Sequence, residues 1–195
     1  MRTIKVKLYK FDELSDEAKQ VAIDWFREGY NDTFFADCVI DDAKEIGKLI
    51  GIDIDKVYYS GFSNQGDGAC FEGNYAYAKN SVKALKEYAP QDKELHRIVD
   101  NLYKLQRENF YRLTAKVKHS GHYYHKMCTE FDVYKNDNDY APVKVEEELI
   151  ELLRDFMDWI YKQLETDYEY QNSDEQISEN IIINDYEFTA DGKRA

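Results

Sequence analysis

The chain has 195 residues, 43% of them hydrophobic and 15% aromatic, with two prolines. That composition supports a packed core of one domain, excludes a disordered chain, and holds no run near the roughly 18 apolar residues of a membrane span. The net charge of −13 is uneven: residues 146–195 carry 15 acidic against 4 basic side chains, while Lys79–Lys118 carry 10 basic against 5 acidic. A strongly acidic end repels nucleic acid and anionic membranes and attracts basic protein surfaces, or serves solubility alone.

In chain order, Ile4, Val6 and Leu8 alternate with Lys5 and Lys7, which predicts a half-buried strand. The same stretch lacks the apolar centre of a secretory signal. Ser15 reads as an N-cap with Asp16 and Glu17 in the first turn, opening a helix whose face is Ala18, Val21, Ala22 and Trp25 and which Gly29 ends. Asp32 or Thr33 caps a second helix, with the stripe Phe35, Val39, Ala43, Ile46 and Ile50, stopped by Gly51. Two strands, Val57–Phe62 and Ala69–Tyr77, flank the turn formers Ser63 to Gly68. A short helix is expected over Ala78–Tyr88, and another carrying Leu95, Ile98, Val99, Leu102 and Leu105.

Tyr111, Leu113, Ala115 and Val117 keep a period of two, and Met127, Phe131 and Val133 continue it beyond Ser120-Gly121, predicting a second hairpin. Residues 136–139 read as a polar loop. The longest helix is expected after Pro142, with Leu149, Leu152, Leu153, Phe156, Ile160 and Leu164 on its apolar face. Ser173 and Gln176 form a capping-box pattern for a short helix, and Ile182–Thr189 a last strand. The order predicts an α+β fold: a mainly antiparallel sheet of about five or six strands packed with several helices, in a single domain spanning residues 1–195 whose part 146–195 is acidic and helical.

Three constellations bear on chemistry. Four of the nine glycines, Gly61, Gly66, Gly68 and Gly73, fall within one short stretch. No phosphate-loop, dinucleotide or EF-hand pattern accompanies them, so a turn and a bulge account for the spacing; a ligand loop there would use Asn64, Gln65 and Asp67. Three of the four histidines, His119, His122 and His125, lie in KHSGHYYHKMC with Cys128. Imidazole and thiolate suit zinc, and a Cys–His pair suits a nucleophile, but the spacing matches no metal motif. His119 shares the parity of Val117 and His125 that of Met127, which puts both on one sheet face. Tyrosines, Tyr58 and Tyr59 among them, crowd both hairpins; they serve core packing or protein contact. Cys38, Cys70 and Cys128 are odd in number, far apart and without CxxC spacing, which reads as reduced thiols of a cytosolic protein.

FDELSDEAKQVAIDWFREG, YYSGFSNQGDGACFEG and VKHSGHYYHKMC resemble segments of a family found in tailed phages and prophages, often labelled antitoxin of a toxin–antitoxin system. The resemblance covers roughly the first two thirds of the chain. It implies a phage-encoded accessory protein of the bacterial cytoplasm and carries over no catalytic residue. The leading expectation is a non-enzymatic protein that binds and inhibits a bacterial defence or toxin component with a basic surface, without cofactor. Its acidic surface, which imitates nucleic acid, would be Glu146, Glu147, Glu148, Glu151, Asp155 and Asp158. The alternatives are a metal-assisted hydrolase using the histidine hairpin and a nucleotide or small-ligand module using Asn64–Asp67. The oligomeric state is left open.

Overall fold

The described residues of this computed structural model are 6–29, 36–136 and 139–195. They form β1 (Tyr9–Lys10), α1 (Asp16–Gly29), α2 (Asp37–Ile50), β2 (Ile52–Tyr59), β3 (Ala69–Ala76), α3 (Ser81–Tyr88) and α4 (Lys93–Glu108). There follow β4 (Thr114–His119), β5 (Thr129–Asn136), β6 (Asp139–Tyr140), α5 (Val143–Gln171), α6 (Asp174–Ile183) and β7 (Glu187–Phe188). Contacts divide the chain into two units: Ala36–Glu165, and Met1–Phe35 with Thr166–Ala195. The acidic end is therefore shared, with residues 146–165 in one unit and 166–195 in the other. No helix among the described residues is long and apolar enough to cross a membrane.

The fold is α+β. The larger unit is built on a five-stranded sheet in the order β2-β3-β4-β5-β6, antiparallel throughout. One face is apolar: Ile52, Ile54, Val57, Phe71, Tyr75, Ala115, Val117 and Val133 are buried. Phe156 of α5 meets Phe71 edge-on at 6.1 Å, and Gln106 of α4 donates to the Tyr75 hydroxyl at 3.2 Å. Burying side chains of the size of Phe71, Leu153, Phe156 and Met157 contributes about 1.5–3 kcal/mol each. The other face carries Asp53, Lys56, Glu72, Asn74, Lys116, Lys118, Glu130 and Asp132, the alternation expected of a sheet wet on one side.

A bulge sets the phase of β2. Ile54 pairs with Gly73 but Lys56 with Glu72, so Asp55 is an extra residue. Opposite it, Gly73 has φ of +158°, and a Cβ there would lie 2.1 Å from the Asp53 carbonyl oxygen. Only glycine admits that approach.

Gln106 also closes the turn from α4 into β4. Its amide donates to the Leu113 carbonyl at 2.7 Å and accepts from the Leu113 N–H at 3.2 Å. Between them Phe110 and Tyr111 both have positive φ, 57° and 60°.

In the smaller unit Phe11, Leu14, Ala18, Ala22, Ile23, Phe26, Ile177, Ile181 and Phe188 form one cluster, with Trp25 and Tyr186 packed on it. Ser15 accepts from the Ala18 N–H at 3.3 Å and so caps α1, and an Arg27–Asp174 ion pair ties α1 to α6.

Several boundaries differ from the sequence expectation. Of the predicted strand at 4–8, Ile4 lies outside the described residues. Val6 and Leu8 are exposed and unpaired, because the partner β7 is two residues long and meets only Tyr9 and Lys10. Val21 is exposed; Ile23 and Phe26 take its place on the buried face of α1. Asp32, Thr33 and Phe35 lie outside the described residues, and α2 begins at Asp37 without a side-chain cap. β2 runs from Ile52 rather than Val57, since Ile52-Asp53-Ile54 already alternates. Tyr111 is not in β4. Asn136 and Asp139, read as loop, pair instead as the edge of the sheet. Ile182 and Ile183 finish α6, with Ser173 accepting from the Gln176 N–H at 3.2 Å at its start.

Candidate functional site

The connections β2–β3 and β4–β5 meet beyond the ends of their strands. A Cβ added to Gly68 would lie 2.6 Å from His125 Cβ and 2.8 Å from His125 Cα, so the glycine is what lets the two loops touch.

The first loop is closed on itself. Ser60 N–H donates to the Gly68 carbonyl at 3.0 Å, and Asp67 N–H to the Asn64 carbonyl at 3.1 Å. One Asp67 carboxylate oxygen accepts from the Ser63 and Asn64 N–H groups at 2.9 and 2.7 Å. These amides hold the Asp67 carboxyl below its ordinary range. Asn64 and Gln65 are exposed, but the acceptor a ligand loop would need is engaged by its own turn. The loop also leans on α5: Tyr161 donates to the Gly61 carbonyl at 3.0 Å and stacks on Phe62 at 5.5 Å.

The second loop presents rings. Ser120 N–H donates to the Cys128 carbonyl at 2.9 Å, Cys128 N–H to the His125 carbonyl at 2.8 Å, and the Thr129 hydroxyl to the Lys126 carbonyl at 2.6 Å. His119 stacks on Tyr58 at 4.5 Å, with Tyr124 on the same tyrosine at 5.6 Å. Glu72 joins them, accepting from the Tyr58 hydroxyl at 2.9 Å and from the His119 N–H at 3.2 Å. That bond to a carboxylate raises the Tyr58 pKa. Tyr59 has the opposite parity, paired with Ala69 beside the apolar face, so the two tyrosines do not form one surface.

The histidines are engaged separately. His119 Nε2 lies 2.9 Å from the Tyr123 carbonyl, and His122 packs against the Tyr123 ring at 5.4 Å. His125 Nδ1 accepts from the Met127 N–H at 3.2 Å, and its Nε2 lies 3.5 Å from Cys128 Sγ. A neutral ring accepting at Nδ1 carries its proton on Nε2, so it donates toward the sulfur and is not placed to take the thiol proton. Among the described residues no group of three His, Cys, Asp or Glu side chains is arranged to hold a metal. Cys70, buried on β3, has its thiol pushed up to about 12, chiefly by burial. Tyr123 and Met127 stand 60% exposed at the tip.

The six α5 carboxylates singled out in the sequence, Glu146 to Asp158, fall into two sets. Asp158 pairs with Lys126 of the second loop at 2.5 Å, Asp155 with Arg97 at 2.8 Å, and Glu151 with Arg154 at 2.9 Å. Glu146, Glu147 and Glu148 have no ion-pair partner among the described residues; Glu147 and Glu148 are exposed and line an open cavity with Lys144 and Asn101. The Lys126–Asp158 pair joins the ring-bearing tip to this acidic helix. Glu72, Lys126 and Tyr161 had no part in the sequence reading. Glu72 left a signal, as a lone charge in the aromatic run ACFEGNYA; Lys126 and Tyr161 left none, since their partners lie 32 and 100 residues away.

An antiparallel sheet with helices on its apolar face and linked loops beyond its strand ends defines an α+β unit of the larger kind described above. The family described as a domain of unknown function (DUF8835) matches residues 35–174, a range that contains the whole of this unit, and the chain belongs to that family. Comparison with curated proteins and with solved structures gives no match.

Proposed function

We propose that the protein is a non-enzymatic binding module that docks on a basic surface of a bacterial protein through the β4–β5 tip and the adjoining acidic flank of α5. The resemblance to phage and prophage proteins supplies the setting, in which the partner is a host defence or toxin component and the site of action is the host cytoplasm. The observation that carries the reading is the pair Tyr123 and Met127, each 60% exposed on a loop held by its own hydrogen bonds. Apolar anchors on a pre-ordered loop bind with little further loss of conformational freedom. The unpaired Glu146, Glu147 and Glu148 lie on the helix to which the tip is bonded, and they would steer a cationic partner.

The test is capture of a partner from bacterial lysate by the tagged protein. The combined Tyr123→Ser and Met127→Ser variant keeps its stability within about 0.5 kcal/mol, since both side chains are solvent-facing. It is expected to lose at least about tenfold in affinity for the captured protein. Reversing Glu146, Glu147 and Glu148 to lysine lowers the association rate and its salt dependence. Capture unchanged in both variants rejects this surface. Stoichiometric zinc in the purified protein, lost in His125→Ala, would replace the reading with metal-assisted hydrolysis.

A further inference from the structure

The five-stranded sheet is open along most of one edge. Its last strand, β6, is two residues long and pairs with Tyr134 and Asn136 alone. The rest of β5 has no strand beside it on that side.

Two bonds fix the direction of the β5 main chain. Cys128 turns its carbonyl toward β4, where the Ser120 N–H donates to it at 2.9 Å; Val133 turns its carbonyl outward, to the Ala141 N–H at 3.0 Å. Main-chain groups alternate in direction along an antiparallel strand. Thr129 and Phe131 share the parity of Val133, so their main-chain groups face the open edge. Among the described residues no hydrogen bond reaches the Phe131 main chain there. Unpaired N–H and C=O groups on an edge are a template for another strand.

An unpaired donor lies against the same residue. Arg154 of α5 holds its guanidinium 5.5 Å from the centre of the Phe131 ring. Its Nη1 donates to Glu151 at 2.9 Å, but its Nε is buried and has no partner among the described residues. A buried donor without an acceptor is costly. A chain laid along Phe131 would bring carbonyl oxygens to this place.

Charge selects the occupant. On the wet face the strands alternate in sign: Lys116 of β4 stands opposite Asp132 of β5, and Lys118 opposite Glu130. Asp132 is 3.7 Å from Lys118, and Glu130 has no ion-pair partner among the described residues. A strand added beyond β5 continues this pattern if it is basic, since opposite charges on facing strands attract and like charges repel. A second copy pairing through its own β5 would set Glu130 and Asp132 against their counterparts. The open edge also runs on through Thr129 to Met127, which stands exposed at the tip.

We propose that the outer edge of β5 takes up an extended segment of the partner as an added strand, with lysine or arginine at alternate positions facing Glu130 and Asp132. This rests on the reading of the protein as a docking module for a basic bacterial protein. It adds how the partner is held: by main-chain pairing at Phe131, beside the ring contacts of the tip.

The experiment uses a capped peptide of alternating lysine and valine, its glutamate counterpart, and the intact protein, with amide shifts and amide hydrogen exchange as readouts. The lysine peptide at millimolar concentration is expected to shift the Phe131 amide saturably and to slow the exchange of its proton. The glutamate peptide is expected to bind at least about tenfold more weakly. Glu130→Gln with Asp132→Asn, both outside the core, should weaken the lysine peptide about tenfold. Arg154→Lys, which keeps the charge and removes Nε, should weaken it severalfold. The Tyr123→Ser and Met127→Ser variant should bind the peptide as the parent does, so edge and tip are tested apart. A lysine peptide that leaves Phe131 exchange unchanged, or a glutamate peptide bound equally well, overturns the proposal and leaves the tip to be judged by lysate capture. Slowed Phe131 exchange in a concentration-dependent dimer, without peptide, overturns it in favour of a second copy.

Discussion

The two loops that meet at Gly68 and His125 use their polar groups in opposite ways. Between β2 and β3 the Asp67 carboxylate and two main-chain bonds satisfy the turn from within, and the exposed side chains are small amides. Between β4 and β5 the main chain is equally well bonded, but Tyr123 and Met127 are left facing solvent. A glycine-rich loop looks like a ligand cradle in sequence, yet here it is the support, and the loop that rests on it carries the accessible apolar surface. What separates support from surface is where each loop's donors and acceptors go.

The widest expected contrast is in thiol reactivity on the two sides. Cys70, next to the first loop, is fully buried with its pKa pushed up to about 12. It should alkylate on the order of a thousandfold more slowly than an ordinary exposed thiol. Cys128, half-buried at the base of the second loop, should react in the native protein. Mass spectrometry of a timed alkylation reads both. Equal rates at Cys70 and Cys128 would mean that the sheet opens around the first loop.

Next in size is the contact between the loops. Gly68→Ala places a methyl group against His125, and a loss of about 1–3 kcal/mol in urea unfolding is expected. A neutral result would separate the loops and remove the support from the comparison.

The smallest effect is the pH response of the Asp67 turn. The folded pKa is lowered, so this carboxylate contributes stability above its unfolded value of about 3.9. The contribution disappears as pH falls through the folded value. The stability gap between the parent and Asp67→Asn should therefore narrow on going from neutral pH to below about 3. A gap that stays constant would show that the charge of Asp67 plays no part in holding the loop.

Much of this architecture was legible in the sequence, for reasons that can be named. The stripe Leu149, Leu152, Leu153, Phe156, Ile160 and Leu164 announces α5 because its burial is one-sided, and Ala115, Val117 and Val133 announce β4 and β5 because one face of the sheet is dry. Asp139 was misread because an edge strand of two residues has no period to detect, and Asn136, its partner at the end of β5, was misread with it. Tyr111 fitted the alternation of β4, but bulky residues seldom adopt positive φ and only the buried Gln106 makes the turn necessary. The glycine loop was legible as a chain reversal, and a bulge was expected near Gly61 or Gly73, of which the structure takes Gly73. The stacking of His119 on Tyr58 and the seating of His125 on Gly68 were not, since both join residues far apart in sequence.

The extra residue in β2 has one more consequence. Ahead of Asp55 the inward positions are even-numbered, Ile52 and Ile54; beyond it they are odd-numbered, Val57 and Tyr59. Were Asp55 to pair in regular register instead of bulging out, Val57 and Tyr58 would exchange fates, sending the phenol inward and stripping Glu72 and His119 of their common neighbour. The kink and the strand tip are thus a single inheritable part: a graft that transfers one into another protein must bring the other with it.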